Sequence, residues 1–321
     1  RAIINWVKQR YDLDVTKEMI NFVPGIVPGI GMAMNSFTRP GDKVMIQPPV
    51  YHPFAWVTTR NERTLVTNPL KWENGMYRMD LDAFREQVKG CKLFILCNPH
   101  NPGGVVWTED ELRTVAEICY EEKVLVFSDE IHADLTLPPY KHRPFATISE
   151  KAKMNSVTFM SPSKAFNMPG LAASHAIIFN EDLRARFRKF MDAGELDMGH
   201  VFAFLSVEAA YTHGTEWLDQ CLAYIQGNID YVDNFLKTHA PRIKAIRPQA
   251  SYLVWLDCRE LGLNQEALND FFADKAHLAL NDGAMFGKEG TGYMRLNVAS
   301  PRSVIEQAMK QLAEAYQAMS F

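Results

Sequence analysis

Three short polar stretches, each directly behind an apolar run, hold most of the side chains in this sequence that could do chemistry. Residues 93–97 run into Asn98-Pro-His-Asn-Pro-Gly-Gly104, residues 124–127 into Ser128-Asp-Glu-Ile-His132, and residues 157–160 into Ser161-Pro-Ser-Lys164. Together they supply an amine, a carboxylate, an imidazole, hydroxyls and amides. Singly, each has an ordinary explanation: Asp129 could cap a helix, Lys164 could be a surface amine, and the Asn-Pro and Gly-Gly steps could punctuate turns. The combination points elsewhere. In an open parallel sheet, ligands collect beyond the carboxyl ends of the strands, so neighbouring ends of this kind form one rim. A lysine and an aspartate there are what a protein needs to hold pyridoxal phosphate. The amine forms a Schiff base, and the carboxylate keeps the pyridine nitrogen protonated.

These groups require a scaffold of buried strands and covering helices. Val124-Leu-Val-Phe127 is a continuous apolar run bounded by charge, as expected for a strand covered on both faces. Before it, Thr108-Glu-Asp-Glu111 reads as a capping box, and Leu112, Val115, Ala116 and Cys119 form one helical stripe. Runs 93–97, 157–160, 176–179 and 44–46 read as further buried strands. Such alternation implies an α/β fold with a mostly parallel central sheet, flanking helices and right-handed crossovers. After Glu181 the pattern changes to a basic helix over 182–191 and a long helical stretch over 201–238. Beyond Pro241 a smaller α+β unit is expected, with strands over 252–256 and 293–296, a helix near 265–275 and a terminal helix over 303–319. The expected division is a large domain, 1–240, and a small C-terminal domain, 241–321.

Composition removes several classes of function. The 34 basic and 38 acidic side chains leave a net charge of −4, which gives no electrostatic case for nucleic acid or an anionic membrane. With 47% hydrophobic and 22% charged residues, the chain is neither disordered nor fibrous. No run approaches the roughly 18 apolar residues that cross a bilayer, and the opening Arg1-Ala-Ile-Ile-Asn-Trp-Val-Lys8 lacks a secretory pattern. Cys91, Cys97, Cys119, Cys221 and Cys258 are odd in number and form no CxxC pair, so they read as reduced thiols of a cytoplasmic protein. The histidines form no HExxH motif, and no metal is expected. The chain begins with Arg1, not Met, so the expectation is that an N-terminal piece is lacking.

The sequence resembles the fold-type-I pyridoxal-phosphate enzymes of the class I/II aminotransferase superfamily, and within it the MalY/PatB-type cystathionine β-lyases. The resemblance covers nearly the whole chain. It is carried by the three stretches above and by Val23-Pro-Gly-Ile-Val-Pro28, Pro49-Val-Tyr51, Asn281-Asp-Gly-Ala-Met-Phe-Gly287 and Met294-Arg-Leu-Asn297. The Ser-Asp-Glu-Ile-His and Ser-Pro-Ser-Lys forms, with the Asn-Asp-Gly segment, point to the lyase branch.

The resemblance implies that Lys164 carries the cofactor as a Schiff base and, once released, acts as the Cα base. Asp129 would pair with the pyridinium nitrogen, Asn101 would bond the phenolic oxygen, and Tyr51 would stack on the ring. The backbone amides of Ile26 and Val27, just past Gly25, would meet the phosphate, with hydroxyls from Ser161 and Ser163. His132 stands where many aminotransferases carry a tyrosine, and lines the site with its role open. The arginine that such enzymes often place eight residues after the lysine is Ala172 here. Arg295 would fork onto the substrate α-carboxylate. The run of Gly287, Gly290 and Gly292 reads as a turn, and Arg184, Arg186, Arg188 and Lys189 as a solvated helix face.

The implied activity is carbon–sulfur β-elimination from L-cystathionine or a related L-cysteine S-conjugate, giving a thiol, pyruvate and ammonia. An aminotransferase using the same lysine and aspartate, or a non-catalytic regulatory protein on this fold, are the alternatives. A homodimer with active sites at the subunit boundary is also implied. So is an N-terminal segment that completes the small domain and supplies a tyrosine to the neighbouring phosphate site; no residue here matches it.

Overall fold

The computed structural model describes residues 1–319. Its strands in chain order are β1 (Ile20–Val23), β2 (Lys43–Ile46), β3 (Thr64–Thr67), β4 (Lys71–Glu73), β5 (Met76–Arg78), β6 (Cys91–Cys97), β7 (Leu125–Asp129), β8 (Ser156–Met160) and β9 (Ser174–Ile177). After a long helical region come β10 (Lys244–Ile246), β11 (Leu253–Asp257), β12 (Asn281–Asp282) and β13 (Tyr293–Asn297). Seven of them form the central sheet in the order β1-β9-β8-β7-β6-β2-β3. All run in one direction except β9, which is antiparallel to both of its neighbours. The chain therefore has the α/β architecture expected, and β4 and β5 form a separate hairpin that hydropathy did not reveal.

Apolar side chains project from both faces of the central strands, which is why these strands lack alternation. Along β6, Phe94 and Leu96 join the cluster of the helix Glu109–Glu121, through Leu112, Val115 and Cys119. Leu93 and Ile95 point the other way, to Ile30, Ala33 and Met34 of the helix Ile26–Phe37. The capping box starts the first of these helices as its sequence implies. Thr108 Oγ1 accepts from the N–H of Glu111 at 3.2 Å, and Glu111 Oε2 accepts from the N–H of Thr108 at 2.9 Å.

Three differences from the sequence expectation have physical reasons. Ser128 and Asp129 belong to β7 itself, because their backbones still pair with β6 and β8 after the apolar run has ended. The helical stretch 201–238 is two helices, Val201–His213 and Thr215–His239, meeting at Gly214. A Cβ on Gly214 would stand 2.3 Å from the Phe166 ring and 2.4 Å from the carbonyl oxygen of Ala210, so this crossing admits only glycine. The expected helix over 265–275 starts as Gln265–Asp270 and widens to a π-type turn over Phe271–Lys275.

The second sheet is fully antiparallel, in the order β10-β11-β13-β12. Ile229, Val232 and Leu236 of the 25-residue helix Thr215–His239 share one core with Val254 and Leu296 of this sheet and with Ile305 and Met309 of the terminal helix Arg302–Gln317. Among the described residues, no helix is long and apolar enough to cross a membrane.

Candidate active site

The carboxyl ends of β6, β7 and β8 open into a cavity of about 360 Å³, closed on one side by the start of the helix Ile26–Phe37 and on another by the small antiparallel sheet. Three hollows elsewhere are larger, at about 640, 610 and 420 Å³. None of them gathers the carboxyl ends of β6, β7 and β8 with Asn101, Asp129 and Lys164, so chemistry and topology favour the smaller one. Ile26, Val27, Tyr51, Asn101, Asp129, His132, Ser163, Lys164 and Arg295 all line it, from segments up to 269 positions apart between Ile26 and Arg295. Ser161 differs from expectation. It is buried beneath the site, where its hydroxyl lies 2.8 Å from both the Ala173 carbonyl oxygen and Ser163 Oγ and accepts from the N–H of Ser163. It braces the turn carrying Ser163 and Lys164 and does not line the cavity.

Asp129 ends β7 and is only 3% exposed. Its Oδ1 accepts from the N–H of Ile131 at 3.1 Å, so it closes a tight turn and caps no helix. Burial raises its carboxyl to about 7, opposed by the Ile131 N–H, reinforced by the charge of Glu130 and opposed again by Lys164. The Lys164 amine is shifted downward, first by burial and then by the positive charge of Arg295, with Asp129 acting the other way. Both groups are thus biased toward neutrality, which for the amine means nucleophilicity.

Glu130, passed over in the sequence, fixes the backbone beside Asp129. Its buried carboxylate accepts from Ser128 Oγ at 2.7 Å and from the N–H of Phe145 at 2.8 Å, and it meets His142 Nε2 at 2.8 Å.

Arg295 lies in β13 with its Nη1 donating to Asn101 Oδ1 at 2.9 Å and its Nη2 to Asn281 Oδ1 at 2.8 Å. Its guanidinium sits 4.7 Å over the Phe286 ring, and its Nε is buried without a partner. Among the described residues no carboxylate pairs with it, which makes it a cation held by neutral amides and ready for an anion. Burial lowers it to about 10. The bond to Arg295 uses the Asn101 oxygen and leaves the Asn101 NH2 group as a donor.

His132 stays neutral because burial, then the charges of Lys164 and Arg295, lower it to about 3; its Nδ1 is buried and unpartnered. Tyr51 meets Phe54 edge-on at 5.7 Å. Gly25, at φ +123°, precedes the helix Ile26–Phe37 and leaves the N–H groups of Ile26 and Val27 without a side-chain cap. The first helical bond runs from the N–H of Gly29 to the Gly25 carbonyl, so those two donors are free for an anion.

Sequence reasoning did not single out Tyr252 or Asn297, and it assigned no role to Asn281, yet all three line the cavity. Asn281 and Asn297 had a signal, their places in the Asn281-Asp-Gly and Met294-Arg-Leu-Asn297 segments, whereas Tyr252 had none. An amine opposite a buried carboxylate, two free backbone donors and amides at the rim form a donor set that fits pyridoxal phosphate.

Residues 1–312 match the family of class I and II aminotransferases. Cystathionine β-lyase PatB of Bacillus subtilis is 39% identical over 316 residues, spanning 98% of this chain and 82% of PatB. Protein MalY of Escherichia coli is 29% identical over 321 residues, spanning 99% of this chain and 82% of MalY. The crystal structure of cystalysin from Treponema denticola, which contains pyridoxal 5'-phosphate, matches with a TM-score of 0.97 and 34% identity over 99% of this chain and 82% of that one. The lysine and aspartate at neighbouring strand ends and these likenesses lead to one conclusion: the chain belongs to the class I and II aminotransferase family of pyridoxal-phosphate-dependent proteins.

Proposed function

We propose that this protein is a carbon–sulfur β-lyase that cleaves L-cystathionine or a related L-cysteine S-conjugate to a thiol, pyruvate and ammonia. The observation that carries the reading is the cavity holding the amine of Lys164, the carboxyl of Asp129 and the uncompensated guanidinium of Arg295 together. It is supported by relatives named as cystathionine β-lyases. When bound, pyridoxal phosphate supplies an electron-withdrawing ring that accepts the electron pair released at the substrate Cα.

The protein's residues then divide the remaining work. Asp129 would hold the proton on the ring nitrogen and so keep the ring electron-poor. The N–H groups of Ile26 and Val27, with the Ser163 hydroxyl, would hold the phosphate. The Asn101 NH2 group would bond the phenolic oxygen, with His132 lining the site, and Tyr51 would stack on the ring. Arg295 takes the α-carboxylate, and its amide partners Asn101 and Asn281 keep the fork from swinging. Lys164, freed by the substrate amine, would remove the Cα proton. The Cβ–S bond would then break with its electron pair leaving on sulfur, the proton on Lys164 could neutralise the thiolate, and the released enamine would tautomerise and take up one water to give pyruvate and ammonia.

Incubation with cystathionine and no keto-acid acceptor tests this reading. Pyruvate and free thiol are expected, and Lys164→Ala should abolish both. Amino transfer that appears only when an acceptor is added would reject the lyase in favour of an aminotransferase. Turnover unaffected by Lys164→Ala would reject the site altogether.

We further propose a homodimer. The helix Val201–His213 exposes Val201, Phe202, Phe204 and Leu205, and Met198 just before it is 76% exposed, a contiguous apolar face of the kind that protein partners cover. A division into domains near residue 240 fits the start of the second sheet at Lys244. Five free cysteines fit a reducing compartment such as the cytoplasm.

A further inference from the structure

Ser251 is a buried serine at φ +80°, in the left-handed region where a Cβ is unfavourable. Its own side chain does not account for this, because its Oγ is buried and has no hydrogen-bond partner. Such backbone persists only where the surroundings over-determine it, and it concentrates at functional sites. Here the surroundings are explicit. The N–H groups of Gln249 and Ala250 both donate to the Gly104 carbonyl, at 2.8 and 3.1 Å, and the N–H of Ser251 donates to the Leu135 carbonyl at 2.8 Å. The N–H of Leu137 donates to the Gln249 carbonyl at 2.9 Å, and that of Val106 to Gln249 Oε1 at 2.8 Å. A Cβ on Gly104 would stand 2.5 Å from Pro248, so the approach is as close as backbone allows. The connection from β10 to β11 is thereby clamped to the two segments that carry Asn101 and His132.

The residue delivered by this clamp is Tyr252. Its ring lines the cavity, edge-on to His132 at 6.3 Å between centroids, and its carbonyl accepts from the N–H of Val298 at 3.0 Å. It is close enough to Arg295 and Tyr51 to interact with both electrostatically, and burial keeps its phenol protonated. Among the described residues its hydroxyl has no hydrogen-bond partner. A neutral O–H donor therefore stands beside an arginine that itself lacks a counter-ion.

We propose that Tyr252 is a substrate-binding residue whose phenol, aimed by the left-handed backbone at Ser251, donates a hydrogen bond to the substrate carboxylate held by Arg295. This assignment rests on the proposed reading of the cavity as a pyridoxal-phosphate site for amino acids.

The test uses cofactor-loaded protein titrated with 2-aminoisobutyrate, an α-amino acid with neither a Cα–H nor a leaving group. The change in the cofactor's visible absorbance then reports binding alone. Tyr252→Phe is expected to bind about tenfold more weakly, the usual loss when a hydrogen bond to a charged group is removed. Ser251→Gly, which frees the backbone, should weaken binding in the same direction and raise the thermal midpoint. Ser251→Ala keeps the constraint and should bind like the parent. Binding by Tyr252→Phe within twofold of the parent overturns the proposal, as does a loaded parent that does not respond to the probe. Equal binding by Ser251→Gly and Ser251→Ala overturns the role of the backbone. Cofactor loading separates this failure from that of the underlying reading. A parent that shows no cofactor absorbance and no borohydride label at Lys164 refutes both. A Tyr252→Phe protein that loads and titrates as the parent does refutes only the role of Tyr252.

Discussion

Asp129→Asn is expected to stabilise the cofactor-free protein while disabling the loaded one. In the fold the carboxyl is raised from 3.8 to about 7, chiefly by burial. Between those values the folded state keeps a proton that the unfolded chain has released, so stability falls as pH rises through the window and the full loss is reached above pH 7. At about 1.36 kcal/mol per pH unit, ionising Asp129 costs the empty fold roughly 4 kcal/mol. Asparagine carries no such charge and retains an oxygen for the N–H of Ile131. Its new NH2 group must be satisfied in the same buried space, at a cost of about 1–2 kcal/mol, leaving a net gain of roughly 2–3 kcal/mol at pH 8. Urea unfolding of cofactor-stripped parent and variant, at pH 8 and pH 5, measures this. The variant's advantage should shrink by roughly 2.5 kcal/mol between pH 8 and pH 5, where the parent regains its proton. A difference independent of pH, or a variant less stable than the parent at pH 8, would refute the reasoning. In the loaded protein the same substitution removes the counter-charge of the ring nitrogen, and turnover should fall by at least about a hundredfold.

Gly25→Ala places a Cβ on backbone at φ +123° and distorts the donors of Ile26 and Val27, so cofactor affinity should drop at least about tenfold by absorbance titration; undiminished affinity would put the phosphate elsewhere. His142→Ala removes one of three hydrogen-bond partners of the buried Glu130 carboxyl and should cost about 1–3 kcal/mol in urea unfolding, whereas a loss below about 0.5 kcal/mol would mean that the pair contributes little. His100 and His132 are lowered to about 3 and His175 to about 4, all by burial, so none binds a proton in the fold near neutrality. Stability should therefore fall as pH drops below about 6.5, and His175→Leu, which removes two unpartnered ring nitrogens, should flatten that limb in urea titrations. Phe202→Glu with Leu205→Glu should convert a dimer to monomers in sedimentation experiments; an unchanged mass would place the interface on another face.

Much of the large sheet was legible because burial on both faces selects unbroken apolar runs, and β6, β7 and β8 coincide with such runs to within a few residues. The ends were less legible. Ser128 and Asp129 read as loop because hydropathy falls there, although the backbone ladder continues. Short elements with weak burial, such as β3 and the hairpin of β4 and β5, carry too little periodicity to stand out. The reversed direction of β9 leaves no mark on side-chain pattern, since either sense buries the same residues.

What the chain's order of residues determined alone was the chemistry on offer: an amine, a carboxylate, a glycine before a helix start and an arginine in a strand, each near the end of a buried run. Local propensity and burial encode such features within a few residues. Only the tertiary structure decided which of them meet. It turned Ser161 inward as a brace, gave Arg295 amide partners in place of a carboxylate, and brought Tyr252 and Asn281 to the rim. These outcomes depend on strand register and on how the second sheet docks across more than a hundred residues of intervening chain. Contacts of that kind follow from packing in three dimensions, which no window of neighbouring residues contains.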